Sequence, residues 1–151
     1  MEALLIAALI TCPAAVSQQL DGLYRWQIER RDSPSPRDLS SQRQRFTPEL
    51  YQQLQQGFAL TPARDGRFVD FDVFSGTQVT TFGARVSGCT RLKAGSINAE
   101  VSVDTGLGGR SSGQPQQLEY LMVLRDGLWH IADIHYPGEP QFSLSSLLKG
   151  R

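Results

Sequence analysis

The sequence predicts an α+β domain in which N-terminal helices cover one face of a meandering antiparallel sheet. Apolar residues recur at helical spacing up to about Phe58, then at every second position from Gly66 onward. Asp126 and Gly127 separate two such alternating runs, and that dipeptide accepts the positive φ angles of a two-residue hairpin turn. Helices first and strands after them, without an internal repeat, argue for helices packed on one sheet.

The first helix is expected from about Ser17 to Arg30. Leu20, Leu23, Tyr24, Gln27 and Ile28 fall in one arc of a helical wheel, with Trp26 well away from its centre and Asp21, Arg25 and Glu29 opposite. Pro34 and Pro36 in the stretch 31–37 stop it, because a residue before proline avoids the α region. Thr47, Pro48 and Glu49 read as the start of a second helix, with N-cap, N1 proline and an acid in the first turn. Phe46 and Tyr51 have the spacing of a hydrophobic staple. Leu50, Leu54 and Phe58 continue inward while Gln52, Gln53, Gln55 and Gln56 stay wet. A shorter helix over Leu39–Gln44 precedes it.

The strands follow from period two. Val69, Phe71 and Val73 alternate with Asp70 and Asp72, which reads as a strand whose acids form a wet edge, before Ser75 and Gly76 turn the chain. Phe82, Ala84 and Val86 mark the next strand. Ile97, Ala99, Val101 and Val103 mark another, with Asn98, Glu100, Ser102 and Asp104 toward water. The glycine-rich stretch 104–117 reads as a long hairpin loop; it lacks both the dinucleotide fingerprint and the Walker lysine. Leu118, Tyr120, Met122 and Leu124 lead into the Asp126–Gly127 turn. After it the apolar phase changes, from Trp129 and Ile131 to Ile134 and Tyr136, which calls for a bulge near Asp133. Leu144, Leu147 and Leu148 suggest a short closing helix. Leu121 and Val123 make the β-strand before the turn apolar on its second face as well, so a tail, a helix or a second subunit is expected to cover it.

At 151 residues, with 40% hydrophobic and 20% charged, the chain suits a single domain over 18–151. Fifteen basic and fifteen acidic side chains cancel, and the arginines are dispersed apart from Arg30 with Arg31 and Arg43 with Arg45, which read as solvated helix ends, so no field favours nucleic acid. Residues 1–17 read as a signal peptide. Ala3–Ile10 is an apolar run too short to span a bilayer, and Ala15 and Ser17 offer small residues for cleavage, although Met1 and Glu2 bring no basic charge. Export to the periplasm or beyond is therefore expected. Cleavage after Ser17 removes Cys12 and leaves Cys89 a lone, buried, inert thiol. Leu9, Ile10, Thr11 and Cys12 offer a second route, lipoprotein anchoring through Cys12, for which Thr11 is a poor fit.

The order of elements and the segment Asp126–Tyr136 resemble the nuclear transport factor 2-like superfamily, whose last strand often carries a Gly-Trp-x-Ile-x-Asp pattern. Here Gly127, Trp129, Ile131 and Asp133 match it, with one extra residue before the tryptophan. The resemblance spans residues 18–149 and implies a cone-like, cystatin-like roll with a curved sheet around the N-terminal helix. Tyr24, Arg25 and Trp26, then Thr47–Leu50 and Asp70–Phe74, are similar to segments of bacterial exported members grouped as domains of unknown function. The superfamily also implies homodimerisation through the sheet. Its members include isomerases, dehydratases and domains that only bind, so the fold selects no activity.

The chemistry must therefore come from individual residues. Asp133 and His135 are two apart on a strand and share a face, which suits acid–base work in a pocket; the plainer role is Asp133 bonding local backbone and His135 at the surface. Tyr24, Trp26 and Tyr120 are candidate pocket walls, with core filling as the plainer role for Tyr24 and Trp26. His130 has the parity opposite Trp129 and is expected to face solvent. A metal site would need Asp70 or Asp72 brought to this strand, so no metal or cofactor is expected. The preferred function is an exported domain that binds a small molecule or protein partner without catalysis. The alternatives are an isomerase or lyase using Asp133 and His135 with Tyr24 orienting substrate, and a purely structural role.

Overall fold

The computed structural model describes residues 8–30, 38–59 and 71–149. Six strands form one antiparallel sheet in which spatial order follows chain order: β1 (Ala8–Ile10), β2 (Thr80–Arg91), β3 (Ile97–Gly106), β4 (Gln116–Arg125), β5 (Leu128–Tyr136) and β6 (Phe142–Ser143). The helices are α1 (Ala14–Glu29), α2 (Pro48–Phe58) and α3 (Leu144–Lys149), with a 3-10 helix over Ser40–Arg45. The class is α+β.

Period two carries the sheet as expected. Ile97, Ala99, Val101 and Val103 of β3 and Leu118, Tyr120 and Met122 of β4 are buried on one face. Val16, Leu20, Leu23 and Tyr24 of α1 are buried in the same core, where the helix packs against β2 and β5. Area removed from water drives this packing. Asp126 (φ 53°) and Gly127 (φ 78°) both take left-handed conformations between β4 and β5, as a primed hairpin turn requires. Thr47 caps α2 by accepting from the Leu50 N–H at 3.2 Å, with Pro48 in the first turn. Phe46 is buried; its backbone bridges Ile131 and its ring lies 6.1 Å from Phe74.

A glycine inside α1 has a packing reason. A Cβ on Gly22 would lie 2.6 Å from the Arg45 guanidinium, which donates to the Gln19 carbonyl and side chain. Arg45 therefore lies across the helix where a side chain would stand, and this ties α1 to the 3-10 helix.

Two sequence expectations are corrected. The stretch Phe71–Gly76 is not strand: Asp72 and Thr77 make an isolated bridge around a turn, and Val73, Phe74 and Ser75 are buried. The apolar residues there alternate because they plug the interior, not because they line a sheet. Cys89 is not a lone thiol, since Ile10 pairs with it across β1 and β2, and Cys12 reaches back to form a disulfide with a Cα–Cα separation of 5.2 Å. Residues 8–17 of the segment read as a signal peptide are thereby built into the fold, while 1–7 lie outside the described residues. Cleavage after Ser17 would remove β1, Cys12 and the buried Val16. A Cys12 held in a disulfide also has no thiol for a lipid anchor. The loop expected at 31–37 and Asp70 lie outside the described residues.

Candidate functional site

The buried turn Asp72–Gly76 creates a polar problem that the tyrosines solve. A buried carbonyl needs a donor. The Tyr24 hydroxyl donates to the Phe74 carbonyl at 2.6 Å, and the Tyr136 hydroxyl donates to the Val73 carbonyl at 2.7 Å. Tyr120 lies 2.6 Å from the Tyr24 oxygen. Because the single Tyr24 proton goes to Phe74, the Tyr120 hydroxyl must be the donor in that contact. Burial is the main cause holding all three phenols above their ordinary pKa, so each stays neutral. Two of the candidate pocket residues, Tyr24 and Tyr120, therefore serve the core.

The direction of these bonds makes a prediction. Tyr24→Phe leaves the Phe74 carbonyl without that donor and the Tyr120 hydroxyl without that acceptor, at a cost of about 2 kcal/mol. Tyr120→Phe removes only a donor to an oxygen whose own proton is still placed, at about 1 kcal/mol or less. Equal losses on urea denaturation would contradict the assigned direction.

At the C-terminal end of α1 a second polar chain begins. The Arg30 guanidinium stacks on Trp26, with Cζ 3.9 Å from the ring centroid, and its Nη2 donates to Gln27 Oε1 at 3.1 Å. Gln27 Nε2 in turn donates to Asp72 Oδ2 at 2.8 Å. The amide thus bridges cation to carboxylate, with every donor directed toward Asp72. Asp72 also accepts from the Phe74 N–H at 3.0 Å, which makes an Asx turn, and from Thr81 Oγ1 at 3.4 Å. Burial raises the Asp72 pKa, and these hydrogen bonds oppose the rise. Burial lowers that of Arg30, while the charges of Asp72 and Asp38 act the other way. Asp72 is therefore not the wet-edge residue that alternation suggested.

Asp133 and His135 have separate hydrogen-bond partners. Met122 pairs with Ile131 and Leu121 with Asp133, so Ala132 is the extra residue of a bulge. Beyond it Ile134 and Tyr136 point into the core, and Asp133 and His135 take the other parity, opposite Leu121 and Glu119. Asp133 Oδ1 accepts the N–H groups of Ile134 and Ser145, both at 2.8 Å, and Oδ2 accepts the Ser145 hydroxyl at 2.6 Å. The carboxylate caps the first turn of α3 from a neighbouring strand. His135 Nδ1 lies 3.2 Å from Glu119 Oε1, with the side chains 35% and 33% exposed, so the pair is screened by solvent. His130 faces the Gln44 carbonyl at 3.0 Å. Asp133 and His135 thus share one face of β5 and bond to different partners, Ser145 and Glu119.

The described residues converge instead at Trp26, Gln27, Arg30 and Asp72. Of these, the sequence marks Trp26 as a pocket wall and Asp72 as a residue a metal site would need, but attaches no function to Gln27 and Arg30. Gln27 sat within the apolar arc of α1, and a polar residue there signals a buried partner. Nothing local marks that partner as Asp72, which is 45 positions away. Among family models, curated proteins and solved structures, none matches this chain.

Proposed function

We propose that this chain is an exported, non-catalytic binding domain of the nuclear transport factor 2-like, cone-like roll type. Its ligand contacts lie at the C-terminal end of α1, around Trp26, Arg30 and Asp72. The observation that carries this reading is the amide-bridged Arg30–Gln27–Asp72 chain. Taking a cation and a carboxylate partly out of water stabilises a fold poorly, and an apolar pair of similar size generally does better. Such an arrangement points to recognition rather than stability. Helices packed on a meandering sheet support the superfamily resemblance. The Cys12–Cys89 disulfide supports an oxidising compartment, periplasmic or secreted, and asks that any processing leave Cys12 in the chain. No helix among the described residues is long and apolar enough to cross a membrane. The acid–base alternative has less support, because Asp133 is bonded to Ser145 and His135 faces Glu119.

A fragment screen by ¹H–¹⁵N correlation spectroscopy on the full chain tests the reading. Binding compounds are expected to shift the Trp26 indole N–H and the backbone signals of 26–30, with the Trp129 indole little changed. An empty screen, together with an empty pull-down from the native compartment, would refute it.

A further inference from the structure

The geometry points to a docking surface for an anionic lipid bilayer at the end of the sheet where β4 turns into β5. Register defines that end: Ala8 opens β1 opposite Arg91, Arg91 pairs with Ile97, Ile97 with Met122, and Arg125 with Leu128. The start of β1, the β2–β3 turn and the β4–β5 turn therefore lie side by side. Among the described residues, Leu9, Leu107, Leu124, Leu128 and Phe142 are the large apolar side chains left exposed. Three of them gather here, with Leu9 83%, Leu124 54% and Leu128 63% exposed. Trp129, opposite Leu124, is half-buried just behind them. Leu107 follows β3 at the other end of the sheet.

The form of this apolar surface selects a lipid. Leu9 lies on β1 and Leu124 on β4, three strand spacings or about 14 Å apart. Leucines set apart along a rim make no single pocket for a protein side chain, whereas a flat fluid layer meets all of them. The chain brings more of the same chemistry to this end. Ala3–Ile10 is an uninterrupted apolar run, and its last three residues are β1. That run is too short to span a bilayer, and stable surface anchoring takes two signals, which the run and the leucines supply. Exposed Arg91, Lys93 and Arg125 stand around the leucines and outnumber Glu49 and Asp126, which suits anionic headgroups. Trp129 lies at the level where an indole favours the interface. Docked this way, the chain turns its ligand-binding end away from the bilayer, since Asp72 bonds Thr81 at the far end of β2.

Flotation of the oxidised full chain with lipid vesicles tests the docking. Vesicles of equal parts phosphatidylglycerol and phosphatidylethanolamine should carry the protein upward, and pure phosphatidylcholine should bind it at least tenfold more weakly. Leu124→Ser combined with Leu128→Ser, melting as the parent does, should weaken partitioning at least tenfold. Leu107→Ser, at the other end of the sheet, should leave it unchanged. Arg91→Ser with Lys93→Ser should cut binding to the anionic vesicles severalfold. In Trp26→Phe, Trp129 is the remaining tryptophan of the two, and acyl chains brominated near the headgroup should quench its fluorescence. Absence of flotation would overturn the inference and leave the leucines to a protein interface. Flotation untouched by the leucine pair would overturn it too, because the N-terminal run would then act alone, and so would equal binding to both kinds of vesicle. The ligand-binding reading at Trp26 stands or falls separately.

Discussion

Replacing Cys12 and Cys89 together by alanine is expected to lower the stability of the oxidised protein by about 4.5 kcal/mol, the value chain entropy assigns to closing so long a loop. The bridge spans 77 positions and pins a strand of three residues to the edge of β2. A strand that short holds its place weakly by its own ladder, so without the bridge Ala8–Ile10 should leave the sheet. Urea denaturation of parent and variant, each with and without reductant, measures the effect. Reductant should move the parent midpoint down to that of the variant and leave the variant unchanged. A variant as stable as the oxidised parent would mean that the segment 8–12 contributes nothing to the fold, as cleavage after Ser17 would require. Mass spectrometry of the non-reduced protein reports directly whether Cys12 is bridged, acylated or gone.

Asp133→Ala is expected to cost about 3 kcal/mol, because three donors lose a charged acceptor at once and helix capping alone contributes about 1 kcal/mol. Ser145→Ala removes only the hydroxyl and should cost about 1 kcal/mol. The loss has a location. Leu144 and Leu148 are buried through α3, so hydrogen exchange in 144–149 should accelerate before the rest of the core. Asp133→Asn keeps one oxygen for the Ile134 and Ser145 amides and should fall between the two. If Asp133→Ala were neutral while binding at Trp26 disappeared, Asp133 would belong to the site rather than to the cap.

These two effects mark where local pattern was informative and where it was not. The bulge near Asp133 was legible because the apolar phase breaks between Ile131 and Ile134, and every second residue of a strand must face one way. The sequence also raised local backbone as a use for Asp133, though not the cap on α3. That bond joins β5 to Ser145, 12 positions on, after a connection whose path no periodicity encodes. The strand assigned to 69–73 went the other way over its described part. Its alternation was real, but buried turns and half-buried strands can share one apolar pattern, and the tyrosine hydroxyls that make a buried turn affordable lie far along the chain. The candidate site was partly legible. Trp26 reads from the sequence as a pocket wall, whereas alternation places Asp72 at a wet edge and nothing local shows the Gln27 bridge.

The sequence by itself determined the α+β class, the Asp126–Gly127 hairpin, the Thr47 cap and the identity of most core positions. Each of these depends on the φ preferences, hydrogen-bonding groups or hydrophobic spacing of neighbouring residues. Only the tertiary structure decided that Cys12 meets Cys89, that Tyr24 and Tyr136 hold the turn at Val73 and Phe74, and that Arg30 is linked to Asp72. Those contacts join groups tens of residues apart. They arise when burial of the apolar faces brings distant polar groups together and each must then find a partner away from water.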